Sequence, residues 1–72
     1  MDRQMLLEHL AMANKHVETG ERHVRRQREL IAELERDGHD TASARQLLEQ
    51  FEKLQEMHIA DRDRIQRELA AG

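Results

Sequence analysis

The sequence predicts an all-α protein: two long antiparallel helices, at about residues 2–37 and 41–70, forming a helical hairpin within a single domain, 1–72. Three observations carry this prediction. The chain has no Pro, a single Phe, and neither Trp nor Tyr, and it is rich in Glu, Arg, Leu, Gln and Ala, which suit a helix. Leu6, Leu10, Ala13, Val17, Gly20, Val24, Gln27, Ile31 and Leu34 recur at alternating steps of four and three, the heptad pattern of a coiled-coil-like helix. The run Asp37-Gly38-His39-Asp40-Thr41 then supplies stop and restart signals between the two periodic stretches.

Taken in chain order, Asp2 is the expected N-cap of the first helix, its carboxylate accepting from an orphan backbone N–H. Gly20 is the one internal irregularity and costs about 1 kcal/mol against Ala in a helix interior. Val17 and Val24 stay in register across it, which predicts one continuous helix about 52 Å long at 1.5 Å per residue. Asp37-Gly38 ends that helix, with Gly38 free to take the left-handed conformation. Asp40 or Thr41 can cap the second helix, whose face carries Ala44, Leu47, Leu48, Phe51, Leu54, His58, Ile65 and Leu69. A connection this short forces the helices antiparallel. A turn centred on His39 would set Leu34 opposite Ala44, Val24 opposite Leu54 and Ala13 opposite Ile65.

A two-helix hairpin has no second layer to cover its apolar face. The expected core and association residues are Leu6, Leu10, Val17, Val24, Ile31, Leu34, Leu47, Leu48, Phe51, Leu54, Ile65 and Leu69. Two hairpins packed as a four-helix bundle would bury both faces, so the expected partner is a second copy in a homodimer, with another helical protein as the alternative.

Composition narrows the function further. With no Cys there is no disulfide framework, thiolate metal site or thiol nucleophile. No apolar run approaches the roughly 18 residues of a membrane span, so no membrane partner is expected and the expected setting is cytoplasmic. A formal charge of −3 lacks the basic excess of a nucleic-acid binder. The basic cluster Arg22, Arg25, Arg26 and Arg28 has Glu18, Glu21 and Glu29 at pairing distance and no interleaved aromatic, so it reads as a solvated helix face. Ser43, Thr19 and Thr41 are the only hydroxyl side chains, and no Gly-rich phosphate loop is present, so no enzyme, catalytic residue or cofactor is expected. Asp37, Gly38 and Asp40 are explained by turn and capping chemistry.

The five histidines are the remaining signal. His9, His16 and His23 lie seven apart beside the seam. The His39-centred turn would place His58 opposite Gly20, whose missing side chain leaves room for an imidazole, with Gln55 near His23 and Arg62 near His16. Gly20, His23, Gln27, Gln55 and His58 then form a polar core layer between two apolar ends, of the kind that fixes register at some cost in stability. A zinc or copper site is the alternative for that layer, with His23 and His58 as its candidate ligands. The stripe Met5, His9, Met12 and His16 has donors suited to Cu(I), and it equally reads as a gap-filling apolar row.

The stretch Glu21-Arg22-His23-Val24, Arg26-Gln27-Arg28, Leu34, Gly38 to Phe51, Gln55 and His58 resembles a group of small uncharacterised bacterial helical-hairpin proteins. The pattern Gly-x-Asp-Thr-x-x-Ala-x-x-Leu-Leu-x-x-Phe matches from Gly38 through Phe51 without a departure. The resemblance covers about half the chain and implies a two-helix fold in a bacterial cytoplasm, with no activity and no site residue attached.

Overall fold

The computed structural model of the protein describes residues 2–72. Helix α1 spans Arg3–Arg36 and helix α2 spans Ala42–Ala71, packed antiparallel in a rod of 54 × 14 × 13 Å. Asp2 caps α1 as expected, its Oδ1 accepting from the Met5 N–H at 2.9 Å. The helix runs through Gly20 without a break.

The end of α1 shows why the chain turns where it does. Gly38, at φ 74°, is the only described residue with positive φ. Its N–H donates to the Glu35 carbonyl at 3.1 Å, and the His39 N–H donates to the Leu34 carbonyl at 2.9 Å. These are the two bonds of a Schellman closure, which satisfies carbonyls the helix would otherwise leave orphaned. Capping of α2 is divided between the two residues expected for it. Thr41 holds the cap position without a side-chain bond to the backbone, while Asp40 Oδ1 accepts from the Ala42 N–H at 3.0 Å. Arg45 fastens the corner by donating to Thr41 Oγ1 and pairing with Glu35.

The Schellman closure also resets the register. Because His39 is tied back to the level of Leu34, the chain has already descended alongside α1 before α2 begins. Ala44 therefore meets Gln27, whose Nε2 donates to its carbonyl at 2.9 Å, where the His39-centred turn would put Leu34. Facing pairs through the middle of the hairpin move by close to one helical turn.

The core is thin. Leu6, Ala13 and Ile65 are buried together near the open end, with Leu10 and Leu69 packed against them. Ile31 and Gln27 are buried toward the turn. Val17, Val24, Leu34, Leu48 and Phe51 are half-buried. Two expected core residues lie outside: Leu47 is 41% exposed and Leu54 48%. A single partner helix presents only one contact line, and neighbours such as Leu47 and Leu48 diverge by about 100° around the axis, so one of them must leave it. No described side chain is fully buried.

Candidate functional site

Two hollows flank the line of contact between the helices. On α1, His16, Thr19, Gly20 and His23 follow one edge of the seam, and Val17, Glu21, Val24 and Arg28 follow the other. On α2, Phe51, Leu54 and His58 face the first edge, and Glu52, Glu56 and Ile59 the second. Gln55 reaches both.

Gln55 is the pivot of the middle of the hairpin. Its Nε2 donates to the Val17 carbonyl at 2.8 Å, and its Oε1 fills the space above Gly20 where any other residue would carry a Cβ. That oxygen is buried and has no hydrogen-bond partner among the described residues. It rests against the Gly20 backbone, where a Cα–H is at best a weak donor. The notch at Gly20 is thus real, but Gln55 occupies it. His58, expected there, packs three residues farther along α2 against His16, their ring centres 5.2 Å apart and the planes tilted by 43°. His23 is exposed and packs on Phe51 at 5.5 Å between ring centres.

The expected polar layer is therefore distributed over successive levels. Gln27 bonds to Ala44, Gln55 locks to Gly20 and Val17, and His58 joins His16. His23 and His58 contact different residues and form no pair. Arg62, expected beside His16, donates to Asp63. The register shift at the Schellman closure brings Gln55 to Gly20 and His58 to His16, whereas the Arg62–Asp63 bond is made within α2. Missed from the sequence was the His16–His58 contact, whose only advance signal was a histidine on each seam edge.

The second hollow, about 780 Å³, is an open trough with a charged rim. Arg28 crosses it to Glu52 at 3.3 Å. Arg26 pairs with Glu29 and Glu33, and Arg22 reaches the Thr19 hydroxyl. Glu18, the expected four-residue partner of Arg22, gives way to Thr19, and the expected Glu21–Arg25 pair is not formed. Exposed pairs differ by well under about 1 kcal/mol, so small geometric advantages decide between them. Near the open end, hydrogen bonds from Arg64 to Asp61 at 2.7 Å, and then to Glu68, hold its guanidinium above its ordinary pKa.

The imidazole hollow is smaller, about 160 Å³, and no charged Lys, Arg, Asp or Glu lines it. Its flank continues along the hairpin as a row of exposed apolar side chains. Met12 precedes His16 by four residues and Met5 precedes Met12 by seven, while Leu47 precedes Leu54 by seven. Met5 is 46% exposed and Met12 58%. Among the described residues, no group of three or more His, Cys, Asp or Glu side chains is placed to hold a metal ion. No helix among them is long and apolar enough to cross a membrane.

Comparison of the chain with protein-family models, with curated proteins and with solved structures gives no match.

Proposed function

We propose that this hairpin is a non-enzymatic interaction module that pairs with a second copy of itself along the imidazole flank, completing a four-helix bundle in a bacterial cytoplasm. The observation that carries the reading is the row of Met5, Met12, Leu47 and Leu54, four of the seven exposed large apolar side chains among the described residues, beside a seam in which no described side chain is fully buried. Large apolar groups gathered on one flank mark an association surface more than scattered ones do.

A second copy fits this surface better than an unrelated helix for two reasons. The apolar row extends from Met5 near the open end to Leu47 near the turn, so a two-fold pairing covers it along its whole length. A face 54 Å long and 14 Å wide offers on the order of 750 Å² per chain, close to the roughly 800 Å² per partner of stable interfaces. The charged rim lies on the opposite flank and stays in water, where its ion pairs need no desolvation.

Native mass spectrometry and sedimentation over a hundredfold range of concentration test the reading. The expected result is a dimer that dissociates on dilution with loss of helicity, and that is shifted to monomer by Leu54→Asp. A folded monomer at every concentration would overturn it.

A further inference from the structure

We propose that His16 and His58 together form a binding site for one divalent cation of the zinc class, bridging α1 to α2 within a single chain. The geometry is the first support. An imidazole bound to zinc at about 2.0–2.1 Å has its ring centre about 3.2 Å from the ion, so two of them in a tetrahedral arrangement lie about 5 Å apart. The His16 and His58 ring centres are 5.2 Å apart, with the planes tilted by 43° and not stacked flat.

Chemistry is the second support. Neither imidazole takes part in a side-chain hydrogen bond or an ion pair among the described residues, so no competing partner must be displaced. The hollow beside them holds about 160 Å³, enough for an ion with water completing its coordination. No lysine or arginine lines that hollow, so the ion would meet no fixed positive charge at its rim. Imidazole donors favour zinc, copper and nickel over magnesium and calcium. His23 lies two turns from His16 and is engaged with Phe51, which leaves the site with two protein ligands.

A two-ligand site between helices acts as a removable brace. The unfolded chain does not hold His16 and His58 together, so an ion bound to the pair stabilises the folded hairpin by mass action. The site takes its ligands from one chain, but its hollow lies on the flank that the pairing proposed above would cover, so the subunit count is read in the same mass spectra as the bound ion.

The test titrates the metal-free protein with zinc chloride, following the histidine side-chain signals by NMR and the unfolding midpoint by circular dichroism. Native mass spectrometry gives the number of ions per chain. We expect one ion per chain, joint shifts of the His16 and His58 signals, and a higher midpoint. His16→Ala and His58→Ala should each weaken binding on the order of tenfold or more, while His39→Ala, at the exposed turn, should not. His16 is exposed, so His16→Ala keeps the test valid even if His58→Ala unfolds. Undiminished binding in His16→Ala, or zinc that leaves both signals unmoved, would overturn the site.

Discussion

The two flanks of the seam are built from residues one position apart in the sequence, yet they have opposite characters. His16, Gly20, His23, Phe51 and His58 line the imidazole hollow, and their immediate successors, Val17, Glu21, Val24, Glu52 and Ile59, line the charged trough. A step of about 100° per residue is all that separates them. On the charged flank the hairpin completes its own chemistry, since Arg28 finds Glu52 on the other helix. On the imidazole flank it does not, because the apolar side chains there have water where a second layer would stand. Helical phase, more than composition, thus decides which flank closes with its own ion pair and which leaves apolar side chains exposed.

Four substitutions break or sharpen that contrast. The largest effect belongs to the seam beneath both flanks: Ile65→Ala, at a site only 3% exposed, should cost about 2–5 kcal/mol and leave the hairpin largely unfolded by circular dichroism. Leu54→Asp strikes the imidazole flank alone. It should remove about 1.5–3 kcal/mol of apolar burial from the proposed dimer and lower helicity at concentrations where the parent chain is paired. On the charged flank, Arg28→Ala should cost less than about 1 kcal/mol in urea melts and leave the oligomeric state unchanged. A comparable loss from Arg28→Ala and Leu54→Asp would erase the distinction between the flanks.

Gly20→Ala should have the smallest effect. A Cβ there must push out the flexible end of Gln55, losing a hydrogen bond worth about 1 kcal/mol, while the helix gains about 1 kcal/mol in propensity. The two nearly cancel. In a Gln55→Ala background only the gain remains, so the same substitution should then stabilise by up to about 1 kcal/mol.

How much was legible beforehand depended on the reach of each interaction. Asp2 as a cap and Gly38 in the left-handed conformation are decided within five residues, and local sequence specifies both. The helices and their apolar seams follow from periodicity in the same way. Register is different, because it depends on how far the chain descends between Asp37 and Thr41. The His39 N–H bonds back to Leu34, and that bond moves Gln55 onto Gly20 and His58 onto His16. Gly20 was recognisable as a notch, but its occupant was not. Leu47 and Leu54 read as core because periodicity counts apolar positions without counting how many a lone partner helix can cover.

The Schellman closure also bears on the order in which the hairpin assembles. Contacts between the helices span ever longer stretches of chain with distance from the turn: Glu35 to Arg45 is 10 residues, Gln27 to Ala44 is 17, and Val17 to Gln55 is 38. Each contact, once made, shortens the loop that the next must close, so the entropy of closure is met in small instalments. The corner at Gly38 is thus the natural starting point of a zipper that runs toward the free ends. Leu6 and Ile65, among the most deeply buried of its apolar residues, are fastened last and are the first to part when the zipper opens.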